Sequence, residues 1–129
     1  MGQKSKAKKD LKQLHEIFTS APLTENMLPI SWFRWEKSVG HEKVYKFICG
    51  TVDGIFTVEK ERVVMIGIGN MQPGNGHITD VFQWFERACR ELKKNFWIVE
   101  IINEGFYRHL VEKHCFQIVT NKQVIKRFR

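Results

Sequence analysis

The hydrophobic pattern of this chain changes period at a cluster of glycines between Gly67 and Gly76, and that change limits what it can fold into. Before the cluster, Val44-Tyr45-Lys46-Phe47-Ile48, Ile55-Phe56-Thr57-Val58 and Val63-Val64-Met65-Ile66 are apolar runs of strand length, rich in β-branched and aromatic residues. After it, Ile78, Val81, Phe82, Phe85, Ala88, Cys89 and Leu92 recur at helical spacing, opposite a charged face of Asp80, Glu86, Arg87, Arg90 and Glu91. Asp53-Gly54 predicts a hairpin and Glu59 to Arg62 a polar turn, so the middle of the chain is expected to be an antiparallel meander that runs into a helix.

The flanking segments extend this pattern. Leu11, Leu14, Ile17 and Phe18 share one face of an expected helix from Lys6 to Thr19. Pro22 ends it, and the aromatic run Ile30 to Trp35 is expected to be a second short helix or an irregular aromatic lid. Phe96 to Ile102 is a nearly continuous apolar run, as for a strand buried on both faces. Phe106 to Lys113 predicts a helix, and Phe116 to Val119 with Gln123 to Ile125 a hairpin around Asn121-Lys122.

With 129 residues, 43% apolar composition, ten Phe and four Trp, there is material for one well-filled core. We expect a single domain over residues 11–129, preceded by a basic tail over 1–10. The longest uncharged apolar stretch, Val63 to Met71, is far short of the roughly 20 residues of a bilayer span. The N-terminus has no apolar signal region, and Lys6 stands where myristoylation needs Ser or Thr. Cys49, Cys89 and Cys115 are odd in number, widely spaced and set in apolar sequence, which predicts inert thiols in a reducing, cytoplasmic compartment. The net charge of +7 gathers at both ends, in Lys4, Lys6, Lys8, Lys9 and Lys12 and in Lys122, Lys126, Arg127 and Arg129. Such ends either attract an anionic partner or serve as solvated tails. No Arg-rich recognition helix or zinc-finger spacing accompanies them.

The chemistry is concentrated at the junction Met71-Gln72-Pro73-Gly74-Asn75-Gly76-His77-Ile78-Thr79. A strand that passes through glycines into a helix exposes unpaired amides at the positive end of the helix dipole, where a pyrophosphate can be held. Gly74 and Gly76 permit positive φ and close approach of phosphate oxygens. The same sequence also suits a plain strand-to-helix turn. His77 is either a phosphate donor or a capping residue. His109, His114 and Cys115 do not form a three-member nucleophile arrangement, and no His or carboxylate spacing suggests a metal.

From Val44 to Phe128 this order of loop, amphipathic helix, buried strand ending in Asn103, short helix and Cys115-Phe116 resembles the acyl-CoA-binding half of the GNAT superfamily of N-acyltransferases. The resemblance implies an α/β (α+β) fold with a mixed, mostly antiparallel central sheet flanked by helices, and a splayed central strand pair. It further implies acetyl-CoA as acyl donor, with Ile68, Met71, Gly74, Asn75, Gly76, His77 and Asn103 as its contacts. Met71 stands at the family's Gln/Arg position, and Asn103 matches its Asn. The family's Tyr, a general acid toward the departing thiolate, falls on Leu110; Tyr107, one turn earlier, is the expected substitute. Glu100 or Glu61 would accept the amine proton, Glu100 being otherwise a strand residue at the sheet boundary and Glu61 a solvated turn.

Two functions follow from that resemblance. One is an N-acetyltransferase acting on an amine of an unidentified acceptor, an unknown amine or a protein. The other is a non-catalytic, protein-binding or structural protein on the same scaffold, similar in general appearance to chains carried by tailed phages and their virions. Gly74, Gly76 and Asn103 favour cofactor binding, whereas Met71 and Leu110 favour the second reading.

Overall fold

The computed structural model describes residues 2–35 and 44–129, with side chains from Lys8 onward, so that Met1 and the side chains of Lys4 and Lys6 lie outside the described residues. The elements are α1 (Gly2–Thr19), β1 (Ser31–Arg34), β2 (Val44–Cys49), β3 (Val52–Val58), β4 (Arg62–Asn70), α2 (His77–Leu92), β5 (Asn95–Ile98), α3 (Glu104–Lys113), β6 (Gln117–Thr120) and β7 (Gln123–Lys126). One seven-stranded sheet is ordered β1-β2-β3-β4-β5-β7-β6. Every neighbouring pair in it is antiparallel except β4 and β5. A parallel pair needs a crossover, and α2 supplies it.

The core is aromatic and centred on α2. Phe85, fully buried, packs its ring against Phe18 of α1 at 5.4 Å, Phe47 of β2 at 5.1 Å, Phe56 of β3 at 5.0 Å and Phe96 of β5 at 5.5 Å. One side chain therefore ties a helix and three strands together. Val81, Phe82, Trp84, Ala88 and Cys89 complete the buried stripe at the spacing a helix on a sheet requires. The polar edges of the stripe are used as well. Trp84 Nε1 donates to the Leu28 carbonyl at 2.7 Å, and the Asp80 carboxylate accepts from the Leu28 amide at 3.1 Å. This clamp holds the segment between α1 and β1.

Three local expectations are corrected. The hairpin between β2 and β3 turns at Gly50-Thr51, not at Asp53-Gly54, which lie inside β3. Gly54 is needed there for close approach, since a Cβ would run into the Gly67 carbonyl and the Phe47 ring. The aromatic run after Ile30 is neither a helix nor a lid but β1, an edge strand whose Trp32 pairs with Phe47 across β2. Helix α1 begins at Gly2 instead of the expected Lys6, and Asp10 belongs to its packed part.

Asp10 reaches Lys94, which is 1% exposed at the start of β5. The Lys94 ammonium lies 2.9 Å from the Asp10 carboxylate and donates to the carbonyls of Glu59 and Lys60 at 2.8 Å each. Burial of a charge is tolerated because every donor has a partner. The arrangement seats β5 beside the β3–β4 turn. Lys94→Met should strand the Asp10 charge and leave both carbonyls unpaired, costing roughly 3 kcal/mol. Urea denaturation measures this, and an unchanged midpoint would show that water replaces the ammonium.

Candidate functional site

The site originates where β5 parts from β4. The two strands pair only from Arg62 with Asn95 to Met65 with Ile98, and the Val99 amide makes a last bond to the Met65 carbonyl at 3.0 Å. Glu100 then takes a left-handed backbone, φ 57°, and the Ile101 amide bonds instead to the Lys122 carbonyl at 3.0 Å in the β6–β7 turn. The strand expected over Phe96 to Ile102 therefore stops at Ile98, because Glu100 turns the chain away. β4 continues to Asn70, so its residues from Ile66 on have no β5 partner. Its pairing with β3 also shifts register, Ile55 facing Gly67 and Phe56 facing Met65, which makes Ile66 the extra residue of a bulge. The resulting gap has a volume of about 320 Å³ and is lined by Ile66, Ile68, Val99, Glu100, Asn103 and Phe106, among others.

Next to it, sharing Ile68, Asn103 and Phe106, lies a larger cleft of about 700 Å³ with Gly74, Gly76 and His109 on its walls. Its rim is the loop before α2. Gly74 and Gly76 have φ 89° and 83°, and a Cβ on either would meet nothing within 4 Å. These glycines are thus required by backbone conformation, with open space above them. Gly76 is the N-cap of α2 and offers no side chain to the first-turn amides.

A polar knot behind the loop fixes its shape. His77 Nδ1 accepts from the Thr51 amide at 3.0 Å, which puts the neutral ring's proton on Nε2. Asn75 Oδ1 accepts from the His77 amide at 3.0 Å, while its Nδ2 donates to Thr51 Oγ1 at 2.9 Å. Thr51 Oγ1 donates in turn to Asn70 Oδ1 at 2.8 Å. The β2–β3 turn, the end of β4 and the start of α2 are thereby joined through four side chains.

The predicted site residues thus separate into groups. Ile68, Gly74, Gly76 and Asn103 come together around the larger cleft, and Glu100 lines the gap. Asn103 also caps α3, its Oδ1 accepting from the Phe106 amide at 2.9 Å. Asn75 and His77 serve the knot. Met71, 88% exposed, points outside both spaces. Leu110 is buried in the core, and Tyr107 lies along a different groove with Ile102 and Ile118, its hydroxyl donating to the Thr120 carbonyl at 2.9 Å. Tyr107, the expected substitute for the acid that falls on Leu110, thus lines neither the larger cleft nor the gap. Glu61 sits in the β3–β4 turn, at the opposite end of β4 from the gap, and pairs with Arg129. Phe106 was not singled out in the sequence, and His109 was weighed there only for a nucleophile arrangement; their spacing of three and six from Asn103 was the available signal for the cleft.

Comparison with solved structures finds a similar architecture in YhhK of E. coli, a candidate N-acetyltransferase whose NMR solution structure was determined bound to coenzyme A. The match has a TM-score of 0.54 at 9% identity and covers 92% of this chain and 89% of that one. The chain has a GNAT-like fold. No protein-family model and no curated protein matches the sequence. The mixed sheet, its flanking helices and its mostly antiparallel order are those the resemblance implied. No helix among the described residues is long and apolar enough to cross a membrane.

Within this GNAT-like frame the thiols differ. Cys49 and Cys89 are buried, and burial pushes the Cys49 thiol up to about 11 and the Cys89 thiol upward as well. Both are inert at neutral pH. Cys115, set in apolar sequence like the other two, is nevertheless exposed, with φ 61°. Beside it, the His114 ring packs edge-on against Phe82 at 4.8 Å. Its pKa is lowered by burial and then by His109 and Lys126. A histidine lowered in the folded state binds its proton more readily when unfolded, so its contribution is intact above the unfolded value, about 6.5. That contribution is lost as pH falls from there through the lowered value. Urea midpoints at pH 7.5 and 5.5 should therefore fall less in His114→Gln than in wild type; equal falls would place the acid sensitivity elsewhere.

Proposed function

We propose that this protein binds an acyl-coenzyme A, with acetyl-CoA as the donor, and transfers the acetyl group to an amine of an acceptor whose identity is open. The observation that carries this reading is the continuity between the larger cleft, rimmed by left-handed glycines at the start of α2, and the gap between β4 and β5. A long, bent ligand with an anionic middle and a thin arm fits such a shape. The open space above Gly74 and Gly76 admits phosphate oxygens to the loop amides, and the arm follows the unpaired edge of β4 past Ile68 and Asn103. YhhK, the similar structure, was solved with coenzyme A.

The donor supplies an activated thioester; the chain's own groups do the rest. Asn103 Oδ1 is committed to its cap, so its Nδ2 is the group that donates to the arm. Unpaired amides of β4 beyond the bulge offer donors to the oxyanion. Glu100, exposed at the mouth of the gap, accepts the proton of the attacking amine directly or through water. The amine nitrogen bonds to the acyl carbon, the carbon–sulfur bond breaks, and the thiolate takes a proton from solvent. Tyr107 is assigned a structural tie to Thr120 instead of the acid role.

The commitment of Tyr107 and the burial of Leu110 favour the second reading, a GNAT-like protein that binds without turnover, such as a virion-associated component. Calorimetry and a thiol-release assay separate the two. Acetyl-CoA should bind, and Gly76→Asn, whose residue tolerates a left-handed backbone, should weaken binding at least about tenfold with little change in Tm. No heat and no thermal shift with millimolar acetyl-CoA would end the cofactor reading. Binding without thiol release for any amine would establish the second reading.

Where turnover is seen, Glu100→Gln should lower kcat by about 10²-fold or more. Tyr107→Phe should leave kcat within about twofold and cost about 1 kcal/mol of stability. A kcat lowered more by Tyr107→Phe than by Glu100→Gln would reverse these assignments.

A further inference from the structure

His109 stands on the wall of the larger cleft, and it is the one titratable side chain among the described residues that line it; no Lys or Arg does so. It lies at the C-terminal side of Asn103 and Phe106 along α3, on the same cleft as Gly74 and Gly76. Its Nε2 is 3.1 Å from Nε2 of His114, with the rings edge to face at 4.8 Å. Two N–H groups cannot point at each other over that distance, so the contact holds one proton. His114 is the member kept neutral, half-buried against Phe82 with its pKa lowered.

The charged groups around the pair do not replace it. Arg108, Glu112 and Lys113 of α3 are not part of the cleft wall. On β7, the Lys126 ammonium is bound by Glu86 of α2 at 2.6 Å and lies over the Phe116 ring. A phosphate in the cleft would find backbone amides and one imidazole. If His114 offers its bare Nε2, a protonated His109 donates Nε2–H to it and keeps Nδ1–H as a second donor. The neutral partner thus steadies the charged form without adding a competing charge.

We propose that His109, oriented by His114, contacts a phosphate of the bound coenzyme and makes binding proton-linked, tighter at lower pH. This rests on the reading of the cleft as a coenzyme A site. Histidine is the side chain whose charge changes between about pH 5 and 8, and an anion beside it favours the protonated ring. The binding residue is His109; His114 is a positioning residue.

The probe is 3′-dephospho-coenzyme A, whose pyrophosphate keeps its charge over this range while a terminal phosphate monoester would titrate near pH 6. Calorimetry of the whole protein from pH 6 to 8 should show affinity rising at least about fivefold toward pH 6. At pH 7, heats in buffers of different ionisation enthalpy should show net proton uptake by the wild-type protein, a measurement that needs no variant. His109→Gln should bind with the wild-type affinity of pH 8 and no pH slope. A flat wild-type profile without proton uptake, or a slope retained in His109→Gln, overturns the proposal and leaves the coenzyme reading standing. Absence of binding at every pH, by this probe and by acetyl-CoA alike, overturns both.

Discussion

Everything that distinguishes this sheet follows from one constraint: β4 and β5 run parallel and share a ladder only from Arg62–Asn95 to Met65–Ile98. Parallel neighbours need a crossover, so α2 must cross the sheet between them, and its aromatic stripe becomes the core. The two ends of the short ladder are secured differently. At its start, buried Lys94 binds the β3–β4 turn and Asp10 of α1. At its finish, left-handed Glu100 sends the chain to the β6–β7 turn, so that the strands diverge. A left-handed backbone at a non-glycine residue costs about 1–2 kcal/mol, and here that strain coincides with the opening of the gap.

The rim of the site is held by polar side chains, and the base of the sheet by apolar ones. Thr51, Asn70, Asn75 and His77 form one connected network, so the β2–β3 turn and the glycine loop move as a unit with the start of α2. Because Asn75 accepts from the His77 amide, the shape of the loop is fixed by the chain's own side chains. The side chains facing the larger cleft contribute little charge, so the proposed recognition of an anion there rests on backbone amides and on His109.

The same economy bears on chemistry. Direct acyl transfer asks for a neutral amine, oxyanion donors and a path for the released thiolate. Backbone groups can meet the second demand and water the third, so burial of Leu110 and engagement of Tyr107 with Thr120 are compatible with the proposed transfer. Glu100 is the carboxylate in the gap, and its position there is a by-product of the turn that opens it.

Periodicity and turn chemistry in the sequence were enough for the meander, the amphipathic α2 and the final hairpin, since each depends on neighbours a few residues apart, whereas the GNAT-like order was carried by the resemblance to that family. Gly74 and Gly76 could be read locally as a strand-to-helix junction, whereas Asn103 entered through the family resemblance and its cap on α3 came only with the structure. What tertiary packing decided was where local signals lose. Asp53-Gly54 failed as a turn because Gly54 is needed beneath Phe47, and Phe96 to Ile102 failed as one strand because Ile101 finds a better partner in Lys122. Likewise, no local rule shows that His77 bonds across to Thr51, that Tyr107 leans toward Thr120, or that His109 meets His114 beside the cleft. Those contacts depend on how distant elements, or the chain's return after α3, bring side chains together, and a one-dimensional pattern does not contain that distance.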